Sequence, residues 1–183
     1  MKKKKGSSAI GYVMIFTMAI IMVIVTMYMM SAAKLMTTQH DIDDALADSV
    51  LASLVADDVY YFKTRELTGS PVVRFRDVND SYKTYKECMN AALGGSSDFY
   101  KNLRYEAFLS YEVEGDTVKV TSFNSSGGKS VTSGSLGSVR TPNGIVVTKT
   151  GCYGKVIFDL EPVIGGNPIT KSRDLFCTLE IND

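Results

Sequence analysis

The chain has 183 residues, no Trp and one His, and its 20 Lys/Arg balance its 20 Asp/Glu. A single His excludes a Ser-His-Asp triad and a metal site built from several histidines. Four of the basic residues are the lysines at positions 2–5, and every acidic residue follows residue 33, so residues 34–183 carry a net charge near −4. That charge argues against a nucleic-acid partner.

The segment 10–30 is apolar and contains no charged side chain. As a helix rising 1.5 Å per residue it would be roughly 32 Å long, about the thickness of a hydrocarbon core. The lysines at positions 2–5 precede it, and positively charged residues remain on the cytoplasmic side of a membrane. The sequence therefore predicts a single transmembrane helix over residues 7–33, with its N-terminus in the cytoplasm and the remainder of the chain outside.

A short basic leader, residues 1–6, ends at Gly6 and is followed by Ser7, Ser8, Ala9 and the apolar segment. This junction resembles that of the type IV pilin superfamily and, within it, that of the TadE-like pseudopilins of Tad-type pili. The resemblance implies that a prepilin peptidase cuts between Gly6 and Ser7. It also implies that the helix anchors the mature subunit in the cell membrane and later packs into a filament, with other pilin subunits and an inner-membrane assembly platform as partners.

One position departs from the family pattern. The family favours Glu at the fifth residue of the mature chain, which pairs with the N-terminal amine of a neighbouring subunit during assembly. Counted from Ser7, that residue is Gly11. Minor subunits at or near a filament tip can lack the Glu, so the resemblance implies a minor or tip pseudopilin rather than a major subunit.

Small and flexible residues recur along one face of the predicted membrane helix. Ser7 and Gly11 are four residues apart, a spacing that lets a second helix approach closely. Met14, Met18 and Met22 continue the same face, and methionine adapts to irregular neighbours. We expect this face to pack against other helices; the alternative is that it contacts lipid.

Two other readings of the N-terminal region are open. In one, the chain is an uncleaved, single-pass anchor whose extracytoplasmic head binds a ligand or an envelope protein. In the other, a signal peptidase cuts after Ala33, where Ser31, Ala32 and Ala33 form a small-residue site, and releases a secreted hydrolase or binding protein that begins at Lys34. The residue at the mature N-terminus distinguishes the three readings.

Residues 34–68 have the periodicity of an amphipathic helix that continues from the membrane. No Gly or Pro occurs between residues 12 and 68, so we expect one continuous or gently bent helix from about Ser8 to Thr64, roughly 85 Å long. Its acidic residues are expected to face water, because they lack the Gly and the distal Glu of a calcium loop. The predicted apolar stripe comprises Leu35, Ile42, Ala45, Leu46, Ala52, Val59 and Tyr60.

Residues 69–183 are predicted to form a globular α+β head, so the fold class is a long N-terminal helix packed on a small antiparallel sheet with one additional helix. The additional helix covers residues 77–93, with Tyr82, Tyr85, Met89 and Leu93 on one face. A hairpin is expected to turn at residues 114–116, and further strands at 144–149, 153–163 and 174–181. Between them, residues 124–138 are rich in Ser and Gly and are predicted to be a flexible exposed loop.

The head shows no pattern of catalytic, metal-binding or cofactor-binding residues, and we expect no enzyme. The phosphate-loop-like stretch GGKS at residues 127–130 lacks the earlier Gly of that motif, because Phe123 occupies the position.

Three cysteines, Cys88, Cys152 and Cys177, predict one disulfide with one thiol left over in an oxidising compartment, or none in a reducing one. A hairpin turning near Gly166 would place Cys177 opposite about Ile157, too far from Cys152 for a disulfide. Cys88 could pair with either of the other two, and the connectivity stays open.

Overall fold

The computed structural model describes residues 6–94, 100–161 and 167–180, with side chains from Ala9 onward. Three helices precede five strands, which confirms the α+β class with two further helices instead of one. The elements are α1 (Gly6–Ala52), α2 (Asp58–Thr68), α3 (Val78–Leu93), β1 (Tyr100–Glu114), β2 (Thr117–Asn124), β3 (Lys129–Ser135), β4 (Gly151–Leu160) and β5 (Ile169–Thr178).

The C-terminal half of α1 is part of the head's core and packs on α3, β4 and β5. Its buried positions recur every three or four residues, as expected for one face of a helix. Several of them are small, which brings the helix axis close to the sheet. The buried residues are Ser31, Thr38, Ile42, Ala45, Leu46, Ser49 and Val50.

The prediction of one helix to Thr64 is wrong, because α1 ends at Ala52 and α2 begins at Asp58. The break needs no Gly or Pro. The backbone between the helices pairs with the segment before α3: the Asp57 N–H donates to the Arg74 carbonyl and the Arg76 N–H to the Val55 carbonyl, both at 3.0 Å. The Asp57 carboxylate then caps α2 by accepting from the Tyr60 N–H at 3.0 Å.

The break also changes which residues are buried. Of the predicted stripe, Ala52 and Val59 are exposed and Tyr60 is only partly buried. Val50 and Tyr61, absent from the prediction, are buried instead. Val59, Tyr60 and Tyr61 follow the break, so the period of α1 does not carry over to them. Val50 lies before the break and continues the α1 face of Ile42 and Leu46, which the predicted stripe missed.

The sheet is antiparallel throughout, with strand order β3-β2-β1-β4-β5. The predicted hairpin is confirmed: Glu114 pairs with Thr117, and Gly115 adopts a φ of 57° in the two-residue turn between them. One face of the sheet packs on α1 and α3. The other is covered by residues 136–150, whose Val147 is buried against Tyr111, Val118 and Tyr153.

Two strand predictions require correction. The Ser/Gly-rich segment 124–138 contains β3, which pairs with β2 from Phe123–Lys129 to Thr117–Ser135. An edge strand needs only backbone pairing on one side, so side chains with little apolar area suffice. Residues 144–149 form no strand; Val146 makes one isolated bridge to Arg140.

Aromatic side chains of α3, β1 and β2 form much of the core, as the predicted face of α3 indicated. Tyr85, Met89 and Leu93 are buried. Tyr82 is less buried and stacks on Phe123 with ring centroids 4.5 Å apart. Phe108 lies between these two helical tyrosines, with its ring 5.0 Å from that of Tyr85.

Candidate functional site: the projecting half of α1

The N-terminal half of α1 lies outside the head. Every large apolar side chain between Ile10 and Met30 is at least 45 % exposed. Among the described residues, the helical stretch Ala9–Ala52 is the one long and apolar enough to cross a membrane, and none of its most apolar window is buried inside the chain. The head is therefore attached to an apolar rod that can serve as a membrane span or a signal anchor.

The polar groups within the projecting half suit a hydrocarbon environment. Thr17 donates to the Val13 carbonyl and Thr26 to the Met22 carbonyl, each at 2.8 Å. Both hydroxyls are thus satisfied within the helix and need no water. Tyr12 and Tyr28 lie near the two ends, roughly 24 Å apart along the axis, where tyrosine favours the membrane–water boundary.

The predicted packing residues lie on one side of this rod. Met14, Met18 and Met22 are each 68 % exposed. A Cβ built on Gly11 would meet nothing within 4 Å, so no contact inside the chain requires glycine there. Ser7 belongs to the first turn of α1, and its side chain lies outside the described residues.

The predicted cleavage point lies at the start of the helix, because Gly6 is the first residue of α1. Residues 1–5, which hold the leader lysines, lie outside the described residues.

Two contacts fix the direction of the rod relative to the head. The first is polar: Arg173 of β5 donates from Nη2 to Oε1 of Gln39 at 2.9 Å, and its Nε lies 2.7 Å from Oδ1 of Asp43. The Nε contact lacks the alignment of a hydrogen bond and is an ion pair. Gln39 and Asp43 are one turn apart on α1, so a single guanidinium holds two successive turns of the helix to the edge strand.

The second contact is the close approach of α1 and α3 to β4. A Cβ built on Gly154 would lie 2.9 Å from Cγ2 of Val50 and 2.9 Å from the Tyr85 ring. Glycine at this position lets both helices reach the sheet. Because α1 is helical from Gly6 to Ala52, a helix fixed here also fixes where its apolar half points.

A cleft of about 630 Å³ in the described head lies between residues 72–79 and the β1–β2–β3 edge. Several of the charged side chains in its walls form ion pairs. Lys119 lies 2.8 Å from Glu112, and Arg74, which stacks on the Tyr60 ring, lies 2.8 Å from Asp57. The Arg74 hydrogen bond, followed by that from the Tyr60 N–H, lowers the pKa of Asp57. The cleft offers polar walls for binding.

Two acidic residues of the predicted amphipathic helix, the single His and the GGKS stretch each have a structural role or position. Asp43 holds Arg173, Asp57 caps α2, and His40 is exposed on α1. Residues 127–130 begin at the turn between β2 and β3 and contribute to the edge of the sheet. Within the described ranges, no three His, Cys, Asp or Glu side chains come together as metal ligands would.

The separation predicted for Cys152 and Cys177 is wrong. These residues are direct partners in the β4–β5 ladder, and Ile157 pairs instead with Ser172. The error arose from the assumed register, because Leu160 pairs with Ile169 and the same register continues along both strands to Cys152 and Cys177. Cys88 lies on α3, and all three thiols are unbonded in this structure.

No protein-family model matches the chain, and neither does any curated protein or solved structure.

Proposed function

We propose that the chain is a pilin-like structural subunit, a minor or tip pseudopilin, of a type IV or Tad-like filament or secretion system. It is anchored by α1 and assembled through it. One observation carries the proposal: the apolar half of α1 projects unpacked from the head, while the second half of the same helix is built into the head's core.

The projecting half of α1 needs an apolar environment to cover it. Burying one large apolar side chain is worth about 1.5–3 kcal/mol, so a bare rod with 17 such exposed side chains between Ile10 and Met30 would be strongly unfavourable in water. The rod therefore lies in lipid or against other apolar helices. A subunit whose rod moves from lipid to a packing position among other apolar helices can leave the membrane. Because the rod is continuous with the head, the head moves with it.

The proposed minor or tip role rests on Gly11. In the family, a Glu at this position pairs with the N-terminal amine of a neighbouring subunit during assembly. Gly11 cannot make that contact, so the repeated subunit-to-subunit pairing of a major pilin would be missing. The open space around Gly11 and the exposed face of Met14, Met18 and Met22 provide a close-packing surface without it.

The proposal places the protein in the cell membrane as a single-pass subunit, with a cytoplasmic N-terminus and an extracytoplasmic head that can enter an extracellular filament. A prepilin peptidase would cut between Gly6 and Ser7. An inner-membrane platform would then extract the subunit and pass it to other pilins. The head contributes no catalysis in this account.

A second candidate is a membrane-anchored binding protein that does not assemble. The cleft of about 630 Å³ beside Arg74 and Lys119 favours it, because a head that only decorates a filament has no need of a cleft. In this account α1 stays in lipid permanently and the head binds a ligand or an envelope protein.

Photo-crosslinking in cells distinguishes the two candidates. A photoreactive residue at Met18 is compared with one at Phe16, which is equally exposed and lies about 200° around the helix. Assembly predicts crosslinks from Met18 to the helices of other subunits, with fewer from Phe16. Crosslinks to lipid alone at both positions, with the assembly system present, would refute the proposal and favour the anchored binding protein.

A further inference from the structure

Cys152 and Cys177 are directly opposite each other in the β4–β5 ladder. Directly opposite residues of an antiparallel pair have Cα atoms about 4.5–5.5 Å apart. Disulfides join Cα atoms about 4.4–6.8 Å apart. The register therefore brings the two backbones within the reach of one disulfide.

Both side chains are on the same face of the sheet. Cys152 and Cys177 belong to the main apolar cluster beneath α1 and α3, whereas their neighbours Tyr153 and Phe176 belong to the cluster on the opposite face. The two thiols thus converge on the same side of the hairpin. Cys152 is fully buried and Cys177 is half-buried, so one thiol of the pair is accessible from outside.

Cys88 has no comparable position. It lies on α3, which packs mainly on α1 and β1 rather than on β5. It comes three residues after Tyr85 and one before Met89, beside the buried face of α3, and it is half-buried. No strand register holds it opposite either of the other cysteines.

We propose that Cys152 and Cys177 form a disulfide across β4 and β5, with Cys88 left as the free thiol, once the head is in an oxidising compartment. The choice of these two cysteines follows from the strand register. The formation of the disulfide in cells rests also on the proposed function, which places the head outside the cytoplasm.

The reaction is a thiol–disulfide exchange, with a protein or small-molecule disulfide as the oxidant. The thiolate of Cys177 attacks one sulfur of the oxidant, breaks its S–S bond and expels one thiolate. Cys152, after losing its proton to solvent, attacks the Cys177 sulfur and expels the second. The two cysteines lose two protons and two electrons, and the oxidant becomes two thiols.

Burial sets the order and the speed of these steps. It raises the pKa of both thiols, and Cys152 is the more deeply buried. The accessible Cys177 therefore reacts first and Cys152 resolves the mixed disulfide. Because little thiolate is present in the folded head, the bond is expected to form faster during folding than after it.

Peptide mapping of the full chain tests the pairing. The protein is purified in detergent micelles, reduced, unfolded, refolded in a buffer of reduced and oxidised glutathione, alkylated and digested with trypsin. We expect a single disulfide joining the peptide that contains Cys152 to the one that contains Cys177, with Cys88 alkylated. Three alkylated thiols, or a disulfide that includes Cys88, would overturn the proposal.

Two variants separate the pairing from general folding. Cys88→Ser should keep the disulfide, and Cys177→Ser, at a half-buried position, should lose it without creating a Cys88–Cys152 bond. Reduction should lower the Tm of the wild type and of Cys88→Ser by roughly 10 °C and leave Cys177→Ser unchanged. An equal effect of reductant on all three proteins would contradict a stabilising bond between these strands.

Alkylation of living cells before lysis tests the location separately. A head oxidised in cells supports both the pairing and the extracytoplasmic placement. A bond that forms in the refolding experiment but is absent in cells contradicts the proposed location of the head and leaves the pairing established.

Discussion

Val50 of α1 lies directly over Gly154 of β4, so close that a methyl group on the glycine would come within 2.9 Å of the valine Cγ2. The Tyr85 ring of α3 approaches the same point to the same distance. Three elements therefore meet where the sheet has no side chain, and this contact sets the depth at which α1 enters the head.

Replacing that glycine should separate the helices from the sheet. We expect Gly154→Ala to lower the free energy of unfolding by about 1–3 kcal/mol, the usual effect of an extra carbon in a well-packed core. Urea unfolding of the full chain in detergent, followed by circular dichroism, measures it. Ser133→Ala, on the exposed strand β3, is the matched control, and an equal stability of the two variants would contradict the close contact.

The Arg173 contact is expected to direct α1 more than to stabilise it. Arg173 and Asp43 are about one-third and two-fifths exposed, so a double-mutant cycle with Arg173→Ala and Asp43→Asn should give a coupling of less than about 1 kcal/mol that falls with added salt. The same variants should speed amide exchange in β5. A salt-independent coupling would show that the pair acts through packing instead.

Periodicity and turn chemistry were sufficient for much of the fold. The face of Tyr85, Met89 and Leu93 follows directly from helical spacing, and the Gly115–Asp116 turn defines its hairpin because Gly tolerates the positive φ required there.

The predictions that were wrong concern features that depend on contacts between residues far apart in the chain. The helix ends at Ala52 because residues 55–57 pair with residues 74–76, a contact that propensity does not contain. Likewise, Cys152 is opposite Cys177 because of the register between β4 and β5. A shift of one or two residues in that register would separate the two cysteines. The projecting half of α1 was the clearest feature of the sequence, because membrane insertion depends on local composition.

Asp57 should make the start of α2 sensitive to acid. Its pKa lies below the usual 3.8, chiefly because Arg74 donates to the carboxylate and then because the Tyr60 N–H does. A lowered pKa means that the fold favours the charged form, so this stabilisation is present above pH 3.8 and is lost as the pH falls through the lower folded value.

Hydrogen exchange across Asp58–Thr68 tests that role. Asp57→Ala should exchange fastest because it loses both the cap and the ion pair, and Asp57→Asn should lie between it and the wild type because an amide oxygen can still cap. Exchange in α2 that does not differ among the three proteins would contradict the capping role.

Two tyrosines should make the stability of the head depend on pH in the alkaline range. Burial raises the pKa of Tyr105 and of Tyr111 from 10.0 to about 12. The fold thus favours the neutral phenol, and the stabilisation is complete below pH 10 and is lost as the pH rises toward 12. Ultraviolet titration of phenolate should show these two tyrosines ionising well above the usual 10.0, together with unfolding.

Removing each hydroxyl should have opposite effects at neutral pH. Tyr105 donates to Oδ1 of Asn90 at 2.5 Å, whereas the buried Tyr111 hydroxyl has no hydrogen-bond partner among the described residues. Tyr105→Phe is therefore expected to cost about 0.5–1.5 kcal/mol, and Tyr111→Phe to be neutral or stabilising. Equal destabilisation by both would indicate a partner for Tyr111.

The measurement that bears most directly on the central claim is the mass of the mature protein, isolated from the membrane fraction of cells that contain the prepilin peptidase. The account predicts a membrane-bound chain that begins at Ser7 and keeps all of the apolar half of α1. A membrane-bound chain that still begins at Met1 would contradict the pseudopilin assignment and favour a permanent anchor. A soluble product that begins at Lys34 would contradict any role for the projecting helix in the mature protein.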